Sequence, residues 1–389
     1  MYIHGQLYKI PTVLMRGGTS KGLIIKDQDL PMDENERERV ITTIYGSSTN
    51  GQIDGIGGGT PLTSKLAIVG PTTKMGCDIF YKFGQVSVYQ KTVDYKVTCG
   101  NMASAVGLFA VEEGMVEMIE PITTVRIFNT NTERVMEVEV PVEDGKVVRE
   151  GDFEISGVSG TASPIMVNFL NFGGSTTGRT LPTGNAIDVV KLSNEKEAEV
   201  TILDVGNVLI FVEAALFGIN GTELSDVFNS TTSLKEQIEE LRVTCGRKLG
   251  LFSEGEVVTP ETHALPKVVI VSKAQDYSTE NNEWIHAEGI DIVGRYIAMG
   301  TLHRAFAVSG AIGLGVAAKI PGTIPNRLAK NVEKSTLQIG HPTGSILVDV
   351  KLNQVQHDWL VEKAGIGRTA RRIMDGNSYI STKLLEHHH

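Results

Sequence analysis

Short apolar runs separated by polar and glycine-rich breaks run through the chain. Alternating or continuous apolar positions predict strands at residues 10–14, 23–25, 79–97, 124–128, 135–140 and 165–169. The same pattern returns at 199–204, 208–213, 267–272, 290–297, 345–350 and 378–383. Asp33 reads as the cap of a helix reaching about Tyr45, with Val40, Ile41 and Ile44 apolar and Gly46 as its stop. Residues 103–113 read as a helix with Ala105, Val106, Phe109 and Ala110 on an apolar face and Gly114 where the C-cap belongs. Ser233-Leu234-Lys235-Glu236 is a capping box that predicts another helix, with Leu234, Ile238, Leu241 and then Cys245 on its buried side. Residues 367–374 are basic and amphipathic, either a solvated helix face or a segment that holds two halves together.

Two small-residue helices have similar starts. Cys99-Gly100 precedes one, and Ser309-Gly310 precedes a run of small and apolar residues ending near Lys319. Laid side by side, Cys99 falls on Ser309, Gly100 on Gly310 and Val106 on Val316, which suggests a duplicated fold. Leu181-Pro182-Thr183-Gly184-Asn185 looks like the junction between its halves. The expected division is 1–183, with 370–386 returning to it, and 184–369. Residues 385–389 look like the remnant of an expression tag.

Composition narrows the function classes. A chain of 389 residues that is 41% hydrophobic can bury a large core, and at about 150 residues per domain it suggests two or three domains. The net charge of −10, with no basic block, argues against nucleic-acid binding. Cys77, Cys99 and Cys245 form neither a metal spacing nor an even disulfide set, which suits a reduced, cytoplasmic setting. No charged-then-apolar leader and no apolar run of about 18 residues is present, so no signal peptide or membrane partner is expected.

The candidate chemistry gathers at loop–helix and loop–strand junctions. Cys99 would stand at a helix N-terminus, where backbone N–H groups and the positive dipole end favour anions. A thiol in such a place is more readily a thiolate, and the same place can hold a carboxylate; alternatively, Cys99 packs as a small hydrophobe. Arg16-Gly17-Gly18-Thr19-Ser20-Lys21-Gly22 is a loop whose backbone donors can converge on an anion, or an ordinary hairpin turn. It lacks the ending of a P-loop, and Gly55-x-Gly57 is followed by Thr60 where a dinucleotide fingerprint needs glycine. Lys65 lies between a glycine-rich loop and the apolar run 66–69; it is either a partly desolvated base or a surface lysine. His341, in Ile339-Gly340-His341-Pro342-Thr343-Gly344, is a carboxylate donor or a turn residue.

Taken together, residues 15–22, Gln52-Ile53-Asp54-Gly55, Thr63-Ser64-Lys65, Cys99-Gly100-Asn101, Leu181-Pro182-Thr183-Gly184-Asn185, His341-Pro342-Thr343-Gly344 and Arg368-Thr369-Ala370-Arg371-Arg372 resemble the PrpF family. These are the 2-methylaconitate cis–trans isomerases, with 3-methylitaconate Δ-isomerase and 4-oxalomesaconate tautomerase among their relatives. The resemblance implies an α/β, diaminopimelate-epimerase-like fold of two similar domains, each with a sheet around a central helix, and an active site in the cleft between them. It implies a cofactor-independent isomerase, without nicotinamide, flavin or metal, acting on an unsaturated di- or tricarboxylate. Lys65 and Cys99 become the proton-transfer pair, with the two roles interchangeable. Arg16, Gly17, Gly18, Thr19, Ser20, Gly100, Asn101, Met102, Ser309, Gly310, His341 and Thr343 become substrate contacts. A homodimer is compatible with such a fold. An epimerase or racemase of the same fold is the first rival, and Ser309 in place of a second cysteine counts against it. A carboxylate-binding protein that has lost catalysis and a cysteine hydrolase are further rivals.

Overall fold

A computed structural model describes residues 2–383 except 96, 97, 194, 254, 260–262, 264, 299, 305 and 357; the side chains of residues 2–4 are also outside the description. The expected tag, 385–389, and Val97 therefore lie outside the described residues. The chain divides into two compact units, residues 1–168 with 368–389 and residues 169–367.

The first unit is an α/β layer structure. Its sheet contains β1 (Leu7–Gly17), β2 (Ser20–Lys26), β3 (Lys65–Pro71), β4 (Ile79–Val86), β5 (Ile122–Asn129) and β6 (Arg134–Glu143). These strands pair in that order. β1–β2, β3–β4 and β5–β6 are antiparallel, whereas β2–β3 and β4–β5 are parallel. Each parallel step needs a crossover, and a helix supplies it: α1 (Glu34–Tyr45) between β2 and β3, and α2 (Gly100–Glu112) between β4 and β5. Asp33 caps α1 by accepting from Glu36 N at 2.9 Å, and Gly46 ends it in the left-handed region, as its sequence predicts.

The second unit repeats this plan. β7 (Asp188–Lys191) leads into β8 (Glu197–Val205), β9 (Asn207–Glu213), β10 (Lys267–Lys273), β11 (Ile292–Ala298), β12 (Thr336–His341) and β13 (Gly344–Val355). β8–β9, β10–β11 and β12–β13 are antiparallel, and β9–β10 and β11–β12 are parallel. The crossovers carry α3 (Thr232–Lys248) and α4 (Val308–Lys319). The duplication suggested by two short helix starts thus extends to the whole strand order.

Each sheet has one helix on its outer face and a small-residue helix on the other. α1 packs Val40, Ile41, Ile44 and Tyr45 on Leu23, Ile25, Leu66 and Ile68; α3 packs Leu234, Ile238, Leu241 and Cys245 on Ile210, Val268 and Ile270. With both faces covered, β3 reads as a continuous apolar run, as parallel strands do. α2 contacts all of β1 to β6 and is buried continuously from Met102 to Val111. A helix surrounded in this way has no polar face. Its small residues let the strands approach: a Cβ added at Gly107 would lie 2.3 Å from Val138 Cγ1 and 2.6 Å from Val138 Cβ. α4 repeats the arrangement, buried from Gly310 to Ala318.

Four local expectations change. Among its described residues, the run expected at 79–97 is a strand over Ile79–Val86, with a two-residue return at Val93–Asp94. α3 begins at Thr232 behind Thr231, and no side chain caps it, so the capping box does not form. The basic stretch 367–374 is not helical: it spans the end of β14 (Asp358–Arg368) and the start of β15 (Ala370–Ser381), which lies antiparallel beside β1. The units part after 168 and 367, whereas the expectation drew these lines after 183 and 369. The 181–185 segment is fastened inside the second unit, where Asp358 accepts from Thr180 N and Leu181 N, and Asp188 from Thr183 Oγ1.

Filling the space at Gly107 tests this packing. Gly107→Val is expected to destabilise the first unit by about 1–3 kcal/mol through overpacking against Val138. Chemical denaturation followed by far-UV circular dichroism measures it; an unchanged unfolding midpoint would contradict the close approach.

Candidate active site

At the N-terminus of α2 the backbone turns sharply from extended to helical. Cys99 is the N-cap residue (φ −139°, ψ 106°), and its side chain does not cap the helix. Its carbonyl accepts from Ala103 N at 3.2 Å and from the buried Tyr81 hydroxyl at 3.3 Å, which fixes the cap from both sides. The Cys99 thiol is half-buried, and its Sγ lies 3.9 Å from Ser20 Oγ. The N–H groups of Gly100, Asn101 and Met102 belong to the first turn, where helices offer donors to anions.

The turn between β1 and β2 lies against this helix tip. A Cβ on Gly17 would come within 2.3 Å of the Asn101 carbonyl oxygen. Gly18 has φ +50°, and a Cβ there would meet Asn101 Oδ1 at 2.3 Å. Only glycines permit this contact. Asn101 then bonds through its whole amide. Nδ2 donates to Thr19 Oγ1 at 3.0 Å and Ser20 Oγ at 3.4 Å, while Oδ1 accepts from Arg368 Nε at 2.7 Å. Arg16 faces the main chain: its Nη1 donates to Gly18 O (3.0 Å), Thr369 O (2.9 Å) and Thr369 Oγ1 (3.0 Å). Gly18 N also donates to Thr369 O at 2.8 Å.

Lys65 opens β3, paired with Gly22 on one side and Gln85 on the other. Its Nζ donates to Gln85 Oε1 at 2.9 Å and lies 5.2 Å from the centre of the Phe83 ring. Gln85 is itself held, its Nε2 donating to Pro61 O and Ser64 O, each at 3.1 Å. The Tyr45 hydroxyl accepts from Leu23 N at 3.0 Å and donates to Lys65 O, pinning the start of the strand. Tyr81, Phe83 and Gln85 alternate along β4 and so share one face. Through them the same strand face supports the cap carbonyl of Cys99 and the ammonium of Lys65. The sequence placed neither Tyr81 nor Gln85 in the site. The spacing of two along a strand is the signal that connects them to it.

Arg368 is a second residue that sequence reasoning did not assign to the site. It is 9% exposed. Burial pushes its guanidinium down to about 10, and the Cys99 thiol acts against that shift. It therefore remains a cation at neutral pH.

Ser309, Gly310, His341 and Thr343 form a group within the second unit. Ser309 Oγ accepts from Asn207 Nδ2 at 2.8 Å and also bonds the Tyr296 hydroxyl, which burial raises to about 12. A Cβ on Gly310 would strike the Tyr296 ring at 2.4 Å. Tyr296 packs on Phe306, and Phe306 on the buried His341, whose Nδ1 is 3.4 Å from both Thr343 N and Thr343 Oγ1. The side-by-side placement of Cys99 on Ser309 needs correction. α4 is capped by Ala307, so Ser309 stands two places past its cap, where α2 has Asn101. The close approaches agree: Gly107, eight places past Cys99, meets Val138 of β6, and Gly315, eight places past Ala307, meets Val348 of β13. The position equivalent to Cys99 is Ala307.

Among the described residues, no group of three or more His, Cys, Asp and Glu side chains converges as a metal-ligand set, and no helix is long and apolar enough to cross a membrane.

The PrpF protein family model matches residues 7–381 of this chain. A 3-methylitaconate isomerase of Eubacterium barkeri is 43% identical, over 96% of this chain and 97% of that protein. A 2-methyl-aconitate isomerase of Shewanella oneidensis is 34% identical, over 95% of this chain and 96% of its own length. The crystal structure of a methylitaconate-delta-isomerase superposes with a TM-score of 0.89 at 41% identity, covering 98% of each chain.

The brace at Arg16 gives a test. Arg16→Gln leaves the Thr369 and Gly18 carbonyls without their shared donor, and about 1–3 kcal/mol of stability is expected to be lost. A thermal melt checks it. A melting temperature equal to wild type would show that the brace contributes nothing to stability.

Proposed function

The chain belongs to the PrpF family, and from that premise we propose that it is an isomerase that moves a double bond in a small unsaturated di- or tricarboxylic acid by a 1,3-proton shift. The observation that carries this reading is the shared support of Lys65 and Cys99 by alternate residues of β4, beside a helix tip suited to anions. The acids named for the relatives above, methylitaconate and 2-methylaconitate, define the substrate class.

In the proposed step one of the pair removes a proton from a carbon next to the alkene. The C–H electrons become a new C=C bond, the old π bond opens, and a proton is added at the far carbon. Atoms and electrons balance without an oxidant or reductant. The difficulty is negative charge spreading into a molecule that is already anionic. Preorganised donors aimed at that charge lower the barrier. The N–H groups of Gly100, Asn101 and Met102 are assigned this role, together with the 17–20 turn. Lys65 is assigned as base, because Gln85 offers it a neutral acceptor rather than a carboxylate; Cys99 returns the proton.

A racemase of the same fold is disfavoured by Ala307. Inverting a centre calls for proton exchange on two faces, and the second small-residue helix has no titratable side chain at the position equivalent to Cys99.

Ultraviolet absorbance reports the change in conjugation when such acids are offered to the protein, and D₂O labels the carbon that exchanges. Lys65→Ala is expected to lower kcat about 10²–10⁴-fold with the circular dichroism spectrum unchanged, and Cys99→Ala to cost more than Cys99→Ser. Near-normal turnover by Lys65→Ala would remove that residue from the mechanism.

Gln85→Glu separates the two roles. A carboxylate in place of the amide, 2.9 Å from Nζ, favours the ammonium. With Lys65 as base, turnover of Gln85→Glu at pH 7 should fall about tenfold or more, whereas Gln85→Met, which adds no charge, should keep most of its activity. Turnover of Gln85→Glu equal to wild type would transfer the base role to Cys99.

A further inference from the structure

Within the second unit, α3 and the strands β10 and β11 wall a cavity of about 20 Å³. Its apolar side is Phe228, Ile238 and Ile297. Its polar side is lopsided in charge. Lys235, Arg242 and Lys267 face Glu239 and His263, and the ring of His263 is paired with Glu256 at 2.9 Å. Glu239 does not answer the lysines. Its two oxygens accept from Arg242 Nε at 2.7 Å and from Arg242 Nη2 at 2.6 Å, while Arg242 Nη1 donates to the carbonyls of His263 and Leu265. Among the described residues, the side chains of Lys235 and Lys267 have no hydrogen-bond or ion-pair partner.

Both ammonium groups stand where their charge is opposed. Lys235 lies in the first turn of α3, which holds no acidic residue and where the helix dipole is already positive. Lys267 opens β10; burial pushes its pKa down, and the neighbouring Arg242 guanidinium acts in the same direction. A cation withdrawn from water is costly until an anion meets it. A water molecule would fill the space without answering the charge. The space also sets the size. A water needs roughly 10–15 Å³ of such a cavity, so one small particle fits, whereas a phosphate or a diacid does not.

We propose that this cavity is a binding site for one halide-sized monovalent anion, held between the ammonium groups of Lys235 and Lys267 and backed by the apolar side. A halide carries its charge on one atom and accepts from several donors at once, which matches two converging ammonium groups. The site is separate from the Lys65–Cys99 pair and does not depend on the reaction assigned to it.

Bromide is the probe, because it takes the place of chloride and scatters anomalously. Crystals of the full chain grown in sodium bromide should show an anomalous peak beside Lys267 Nζ. In solution the chloride NMR line should broaden in the presence of wild type, and bromide should narrow it again by displacement. Lys267→Met and Lys235→Met should each weaken chloride binding about tenfold or more, the worth of a hydrogen bond to a charged group, and remove the bromide peak. Bromide crystals without a peak at Lys267 would overturn the site. A peak and a broadened line that persist in both variants would overturn the role of the lysines. A peak in the crystal with a chloride line that the two substitutions leave unchanged would mean binding at crystal concentration only, and would also overturn the proposal. If Lys267→Met fails to fold, the half-exposed Lys235 decides, and undiminished binding by Lys235→Met would refute the shared site.

Discussion

The helix Gly100–Glu112 is enclosed by strands along its length, so its backbone can meet a ligand only at its ends. Its two ends are treated differently. At the C-terminal end, Glu112 and Glu113 stand where the helix dipole is already negative. Arg372 answers both, at 2.7 and 2.8 Å, and Lys26 answers Glu113 at 2.9 Å. At the N-terminal end no acidic side chain occupies the first turn, and the N-cap residue does not cap. The first turn thus has neither a side-chain cap nor an acidic residue of its own. The basic stretch 368–372 serves both ends of α2, with Arg368 near the tip through Asn101 and Arg372 at the last turn.

This arrangement explains what could be read from the sequence and what could not. The helix start at Cys99, the glycine pair at 17–18 and the apolar run behind Lys65 are local patterns, and local patterns survive in one dimension. The link between Arg368 and Asn101 spans 267 positions, and no periodicity encodes it. Worse, the residues around Arg368 carry a misleading pattern: charges spaced by three and four read as a helix face, yet the segment is strand beside β1. Pairing with a neighbouring strand overrode the local signal. Tyr45 is similar. It ends α1 as an ordinary apolar position, and only the fold reveals that its hydroxyl bridges Leu23 and Lys65.

The duplication was legible for a different reason and misread in one detail. Enclosed helices must be small and apolar, so both copies keep Gly/Ala-rich stretches, and those stretches align by composition. Composition does not mark where a helix begins. The caps do, and they move the match from Cys99–Ser309 to Cys99–Ala307. The correction has chemical weight. Asn101 and Ser309 then become counterparts, each bonded to the first residues of the hairpin strand beside it. In the first unit that contact carries a buried cation; in the second it ends on Tyr296.

Two copies of one scaffold have therefore diverged at equivalent places. The strand order, the enclosed helix and the hairpin contact are common to both, since each is needed to bury the same surfaces. What differs is what stands at the cap and what stands beside it. A thiol and a guanidinium occupy the first copy, and alanine and a tyrosine hydroxyl the second. A reaction that inverts a carbon needs a proton acceptor on one face of it and a donor on the other. One that slides a proton along a conjugated acid needs one acid–base pair, and of the two caps only that of the first copy carries a titratable side chain.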